Sequence, residues 1–281
     1  MMRTAVMTMA YNEGVILPKW VKYYGQIFGK ENLFIFDHGS DDGSTENLGA
    51  VNIIKLPRTP FSDIVRSKMI SSFSASFLSF FDYFIYTDAD EFLCVDPVKY
   101  INLKNYLHVK APEHVTAIGL NIFHSFEDEA PLNISRPVLT QRSYAYFLPS
   151  MCKTLITKKP TNWGGGFHAC NHRQNFDEVY NFHLKQMDRE IALDRLRILR
   201  SIERDGDFGT HQRIEDAKMN LIFKQINSRD REDNFDFSFE IEELEENISK
   251  NHADKYIFNV DYQSRHRNNL RKIPEQFKGI F

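Results

Sequence analysis

The stretch FIYTDADEFLCVDP, residues 84–97, decides how this chain is read. Phe84, Ile85 and Tyr86 form an apolar run of strand length, and Asp88, Asp90 and Glu91 follow at once. Carboxylates crowded at the exit of a buried strand repel one another and lose hydration, so something positive has to stand against them. If the strand lies in a parallel sheet, its C-terminal end is also where such sheets bind ligands.

The flanking sequence supplies that sheet. Thr4–Met9 reads as a strand broken by YNEG. Leu17, Trp20, Val21, Tyr24, Ile27 and Phe28 then recur at helical spacing, with Pro18 placed for the first turn. LFIF (33–36) is the next strand and stops at DHGSDDGS. Strand, helix and strand in so short a span make a βαβ unit, which implies parallel pairing. The pattern repeats through VNIIKL (51–56), a helical stripe of Ile70, Phe73, Phe77 and Phe80, and YFIYT (83–87). Asp96 and Pro97 read as the start of a short helix, and VTAIGLNIF (115–123) as a further strand. Beyond it, MCKTLIT (151–157) and VYNFHL (179–184) flank the Gly-rich NWGGGFHACNHR. Stripes at Ala192/Leu196/Leu199/Ile202 and Met219/Ile222/Phe223/Ile226, then FEIEELEENISK, predict helices. The expected fold class is α/β, a mostly parallel central sheet flanked by helices with a C-terminal helical extension.

Composition narrows the field. The 281 residues suit one large domain, and 24 Phe with 12 Tyr predict a Phe-rich core. A formal net charge of -3 argues against a general nucleic-acid binder. Cys94, Cys152 and Cys170 form no CxxC pair and read as reduced thiols of a cytoplasmic protein. The apolar run before Asn12 and Glu13 is too short for a signal peptide or membrane span.

Two acidic loops fall at strand ends: Asp37, Asp41 and Asp42, and Asp88, Asp90 and Glu91. Hard oxygen ligands at this spacing suit Mg²⁺ or Mn²⁺, and such an ion can carry a diphosphate. Neither G-x-x-x-x-G-K-[ST] nor G-x-G-x-x-G occurs, so the usual phosphate-cradling loops are absent. An isolated D-x-D is ordinarily a turn or a solvated face; its place in a βαβ array makes metal binding an equal reading. An EF-hand does not fit, since DADEFLCVDPVK lacks Gly at its sixth position and Glu at its twelfth.

Taken in order, MAYNEGVILPKWVKYY, FIFDHGSDDGST, Arg66, YTDADEFL, CKTLITKKP, GGGFH and FHLK resemble the family-2-like glycosyltransferases of the GT-A fold. More narrowly, the likeness is to the branch with an Asn-Glu pair after strand one. The resemblance implies a donor site in which Asn12, Glu13 and Asp37 flank the base, Arg66 contacts the nucleotide and Asp88 lies near the ribose; Lys153 and Lys185 are candidates for the diphosphate. It implies a metal held by Asp90, with Asp88 beside it and a late histidine completing the shell, for which His183 is favoured; His168 is placed at the pocket mouth, and Trp163 reads equally as a ring stacking on the acceptor sugar or as core. Residues 1–125 would form the nucleotide-sugar half and 126–210 the acceptor half of one domain, with 211–281 a helical extension packed on it. The chain departs from the commoner pattern at His38, where a second Asp often stands, and lacks the Glu-Asp pair that supplies many relatives with a base. Asp128 and Glu127 in HSFEDEAP are the best candidates for that role, with Glu178 as alternative.

The implied reaction is inverting transfer of a sugar from a nucleoside diphosphate sugar, a UDP-sugar foremost, to a hydroxyl of a glycan or glycolipid. Competing readings are a nucleotidyltransferase acting on sugar phosphates, which would normally show a Gly-rich basic loop after strand one, and a non-catalytic sugar-nucleotide-binding module. A zinc site at His168, Cys170 and His172 has no good fourth ligand. The Gly164–Gly166 run reads equally as a lid or as a tight turn. The tail SRHRNNLRKIPEQFKGIF mixes Arg265, Arg267, Arg271 and Lys272 with Ile273, Phe277, Ile280 and Phe281, a composition suited to peripheral contact with an anionic membrane or to packing on its own domain.

Overall fold

A computed structural model describes residues 2–205, 213–248, 258–259 and 269–281. Its strands are β1 (Thr4–Ala10), β2 (Leu33–Asp37), β3 (Asn52–Lys55), β4 (Tyr83–Tyr86), β5 (Glu91–Val95), β6 (His114–Phe123), β7 (Tyr144–Phe147), β8 (Thr154–Thr157), β9 (Ala169–Cys170), β10 (Phe176–Gln186), β11 (Arg231–Glu232), β12 (Phe258–Asn259) and β13 (Leu270–Lys272). Its helices are α1 (Leu17–Phe28), α2 (Asp63–Phe77), α3 (Leu103–Lys110), α4 (Arg189–Ser201), α5 (Asp216–Asn227) and α6 (Ser238–Asn247).

The result is the expected mixed α/β architecture, a large central sheet flanked by helices. Its backbone runs β11-β13-β7-β6-β8-β4-β1-β2-β3, and β10 bridges β6 and β5. β1 pairs parallel with β2 and β4, and β2 with β3, because each connection crosses back through a helix or long loop. The other half is built through antiparallel steps: β4 with β8, β8 with β6, and β6 with β7. Two antiparallel steps restore direction, so β6 runs with β4, and β10 pairs parallel with β6. The C-terminal ends of β1, β2, β4, β6 and β10 therefore share one edge.

Helix α1 fixes that edge. Leu17, Trp20, Val21, Tyr23, Tyr24 and Phe28 are its buried residues, and Pro18 stands in its first turn as expected. Trp20 Nε1 donates to Thr87 Oγ1 at 2.8 Å, and Tyr24 Oη donates to the Glu91 carbonyl at 3.1 Å while accepting from Leu93 N at 2.9 Å. The helix thus holds the Thr87 side chain on one side of Asp88 and Asp90 and the Glu91–Leu93 backbone on the other. Each such buried aromatic contributes on the order of 2–3 kcal/mol through apolar burial.

Several expectations on local structure are corrected. Phe80 lies beyond the end of α2 and is exposed, whereas Phe73 and Phe77 pack edge-on against Phe36 and Phe34. No helix starts at Asp96: its carboxylate accepts Val98 N at 2.9 Å in a turn, and α3 begins later, capped by Asn102 on Asn105 N at 2.9 Å. Leu103, Tyr106 and Leu107 give α3 the apolar face that residues 97–101 lack. The C-terminal segment holds the helices α5 and α6, but it then enters the sheet as β13, antiparallel to β7. Ile273, Phe277 and Phe281 are buried there, so these residues are not available to a membrane surface; Arg265 and Arg267 lie outside the described residues. Among the described residues no helix is long and apolar enough to cross a membrane. The three cysteines are buried free thiols.

Candidate functional site

The register of three strands assembles the site. Glu91 opens β5 directly opposite His183 on β10, and His183 in turn pairs with Asn121 on β6. Leu184 N donates to the Asp90 carbonyl at 2.8 Å, and Glu91 N to the Asp88 carbonyl at 3.0 Å, which closes the acidic segment into a turn. His183 Nδ1 donates to Asn121 Oδ1 at 2.7 Å. The Asn121 amide nitrogen bonds both Tyr146 Oη (2.8 Å) and Gln186 Oε1 (2.6 Å), which is what turns its oxygen toward the imidazole. His183 Nε2 is thereby aimed at Asp90 Oδ2, 3.2 Å away.

The carboxylates are met by cations from distant parts of the chain. Asp88 takes Arg66 at 2.7 Å and Lys153 at 3.4 Å, together with Tyr86 Oη at 3.2 Å. Burial pushes the Asp88 carboxyl up, but Arg66 and Lys153 outweigh it and hold it at about 2. Glu91 takes Lys153 at 2.6 Å; its burial is nearly complete and pushes its carboxyl up despite that ammonium. Asp90 is held between His183 and Arg195, which keep its carboxyl well below the usual range against the opposing effect of burial. Arg195 also reaches Glu13 Oε1 at 2.6 Å, tying helix α4 to the loop after β1. Burial raises the Glu13 carboxyl even so. Arg66 is shared with Asp63 at 2.8 Å and lies 5.3 and 5.1 Å from the rings of Phe61 and Phe167.

The loops after β1 and β2 interlock beside this cluster. Asn12 sits at φ 53° and exchanges two hydrogen bonds with Asp41, at 2.7 and 3.0 Å. Asn readily adopts that left-handed conformation. Asp37 is buried, accepting Ser40 N at 2.8 Å and Thr45 Oγ1 at 3.0 Å. His38, the departure from the commoner pattern, bonds Thr59 and Arg58, and the Arg58 guanidinium lies 3.7 Å over the ring of Tyr11.

The expected residues therefore divide. Asn12, Glu13, Asp37, Arg66, Asp88, Asp90, Lys153 and His183 come to one edge. His168 stands beside them, its Nδ1 on the Ser150 carbonyl at 2.8 Å, and burial next to Lys153 lowers it to about 3, so the imidazole is neutral. Trp163 is not a stacking platform: it is 1% exposed, and its indole nitrogen donates to the Thr154 carbonyl at 2.8 Å, because it fills core beneath β8. Gly166, at φ 66°, belongs to a tight turn in which an added Cβ would come within 2.6 Å of the His168 ring, so the run is packed rather than open. His172 Nε2 bonds Thr161 Oγ1, so the HACNH histidines do not converge. Glu127 and Asp128 are exposed on the β6 loop, at the shared edge. Asp128 is bound by Ser125 Oγ and by Arg231 at 2.6 Å, which hold its carboxyl below the usual range and weaken it as a base. Glu178 lies toward the opposite end of β10 from His183, paired with Lys99 and Tyr100.

Sequence reasoning does not find Arg195 or Asn121 at the metal motif, whereas Lys185, a candidate for the diphosphate from the sequence, lies within the fields of Asp90 and Arg195. Arg195 is one of four arginines on α4, with Arg189, Arg197 and Arg200, so its residue type does not single it out. Nothing local marks it as a partner of Asp90, 105 residues earlier. Among the described residues no group of three or more His, Cys, Asp or Glu is set to hold a metal ion; Asp90 and His183 converge as a pair.

No family model matches the chain, and no curated protein matches it. Among solved structures it is similar to mannose-1-phosphate geranyltransferase from Thermus thermophilus, at 10% identity over 79% of this chain and a TM-score of 0.29. The chain spans 65% of the length of that structure. It is also similar to CMP:2-keto-3-deoxy-manno-octonic acid synthetase complexed with CTP, at 10% identity over 78% of this chain and 86% of that one, with a TM-score of 0.28. Likeness this slight defines no family and carries no argument. What the fold and site themselves define is an α/β protein with an ion-paired cluster at the C-terminal edge of its strands.

Proposed function

We propose that this edge binds a nucleoside diphosphate sugar and that the chain transfers the sugar to a hydroxyl of a glycan or glycolipid. The observation that carries the reading is the convergence of Asp88, Asp90 and His183 with Arg66, Lys153 and Arg195 at one strand edge. An anionic diphosphate needs cations, and a ribose or metal needs carboxylates; this edge offers both side by side. The interlocked loops at Asn12, Asp37 and Arg58–Tyr11 stand next to it, on the side where the resemblance puts the base.

Asp90 and His183 would hold a divalent cation, with the rest of the shell from the diphosphate and water; the carboxylate suits Mg²⁺ or Mn²⁺, and the imidazole favours Mn²⁺. Such an ion supplies charge neutralisation of the leaving diphosphate. The chain's own part is to orient: Asn121 fixes the His183 ring, α1 fixes the Asp88–Glu91 turn, and Arg66 and Lys153 hold Asp88. The acceptor proton would go to Glu127, or to Asp128 once freed from Arg231.

Nucleotidyl transfer to a sugar phosphate is the second reading, and it uses the same edge and cations. The loop after β1 weighs against it, since Asn12, Glu13 and Asp41 occupy the place of a Gly-rich basic loop. Incubation with Mn²⁺ and a panel of sugar nucleotides, and separately of nucleoside triphosphates with sugar phosphates, separates the cases. Nucleoside diphosphate release is expected; pyrophosphate release would establish the second reading, and tight binding without turnover a non-catalytic module. Asp90→Ala is expected to cut turnover by about 100- to 1,000-fold with an unchanged circular dichroism spectrum. Undiminished activity in that variant would refute the site.

A further inference from the structure

The position of Asp90 already holds a cation. Arg195 places one nitrogen on Asp90 and the other on Glu13, at 2.6 Å, so its fork spans the turn after β4 and the loop after β1. The third nitrogen, Nε, is buried and has no hydrogen-bond partner. A guanidinium with a spare buried donor is incompletely satisfied, and an arginine so placed is ready for an acceptor that is not yet there. Lys185 lies two residues beyond His183 on β10, within the fields of Asp90 and Arg195. Two cationic side chains, one of them with an unused donor, thus border the carboxylate that the reading above assigns to a divalent ion.

An ion bridging Asp90 Oδ2 and His183 Nε2 would have to share that oxygen with the Arg195 guanidinium, a like charge. We propose that Arg195 is the resident occupant of this cation position, and that ligand loading exchanges it for the divalent ion while handing its guanidinium to the incoming diphosphate. The helix need not move: Asp188 caps α4 by accepting Glu190 N and Ile191 N at 3.0 and 3.2 Å, and the Glu13 contact keeps the freed side chain at the sheet edge. Ion and nucleotide then bind cooperatively. The ion alone has to evict Arg195 into a site with no anion to receive it, whereas the diphosphate offers the displaced guanidinium a bidentate partner.

This inference rests on the metal-carried diphosphate reading, and one titration separates the two. Mn²⁺ is titrated calorimetrically into the full chain and into Arg195→Met, each with and without UDP. In the wild type, UDP is expected to tighten Mn²⁺ binding at least ten-fold. In Arg195→Met, Mn²⁺ alone is expected to bind at least ten-fold tighter than to the wild type, and the UDP effect to shrink below three-fold. Should Arg195→Met fail to fold, Glu13→Gln removes one anchor of Arg195 and is expected to tighten Mn²⁺ alone in the same direction. Wild-type binding of Mn²⁺ with no tightening in either variant overturns the exchange and leaves the metal reading standing. Absence of Mn²⁺ binding in every protein, with UDP present, overturns both.

Discussion

At the end of β2, Asp37 accepts from Ser40 and Thr45, Asp42 from Ser44, and Asp41 trades hydrogen bonds with Asn12. At the end of β4, Asp88, Asp90 and Glu91 are met by Arg66, Lys153, His183 and Arg195. Both loops sit at the same sheet edge, flanking β1, and both look alike in sequence, as carboxylates after an apolar strand. The first uses its charge to shape a turn, with partners mostly a few residues away. The second is paired with full charges from 22 to 105 residues away. A loop that shapes itself is complete once folded. A loop neutralised by side chains from remote elements has partners that a ligand could replace, and that is why the proposed chemistry is put at the second.

The contrast breaks most visibly at Lys153. This buried ammonium serves Glu91 and Asp88 together, and Lys153→Met leaves the Glu91 carboxylate buried without its cation. A broken buried ion pair costs about 3–5 kcal/mol. Urea denaturation at neutral pH is expected to register a loss of that size. A loss below about 1 kcal/mol would mean that the β4 loop is no more dependent on remote charge than the β2 loop.

Acid sharpens the same point. The folded Asp88 carboxyl sits at about 2, held down by Arg66 and Lys153 against the upward push of burial. An unfolded Asp titrates near about 3.9. A folded value below the unfolded one gives stability that is fully present above about pH 4 and is lost as pH falls toward 2. Over that window the wild type is expected to lose about 2 kcal/mol through this group. Asp88→Asn is expected to show a correspondingly flatter profile when denaturation midpoints at about pH 5 and about pH 2.5 are compared. An unchanged slope in Asp88→Asn would place the acid sensitivity elsewhere.

How much of this is legible without the structure follows from range. The βαβ half is readable because its signals are local: the α1 stripe and the apolar runs of β1, β2 and β4 each lie within a few turns of chain. Strand β5 escapes because Glu91 makes EFLCV look like the tail of an acidic loop, although all five residues are buried. The direction of His183 toward Asp90 follows in sequence only from the resemblance. The register of Glu91 against His183 and of His183 against Asn121 is what produces it, and no residue pattern encodes a cross-strand pairing between segments so far apart. Trp163 is misplaced for a related reason. A Trp beside three glycines is equally readable as exposed or as core, and only the Thr154 carbonyl above it decides. Arg195 is invisible because a basic residue on an amphipathic helix is ordinarily a solvated one.

The smallest expected effect falls on the other loop. Asp41 is exposed, and its link to Asn12 joins the turn after β2 to the loop after β1. Asp41→Ala removes one side-chain acceptor that water can replace at little cost, so the expected loss is about 0.5–1 kcal/mol in urea denaturation. The residual value of the contact is conformational, since Asn12 at φ 53° loses one of the groups that hold it there. That predicts a second reading from the same variant: nucleotide affinity should weaken slightly, by about two- to five-fold, through a loosened Asn12–Glu13 loop rather than through lost charge. Salt distinguishes the two causes, because a positional defect persists at high ionic strength, whereas a lost long-range charge effect is screened away. If Asp41→Ala instead matched Lys153→Met in stability loss, the division between a self-shaping loop and an exchangeable one would fail.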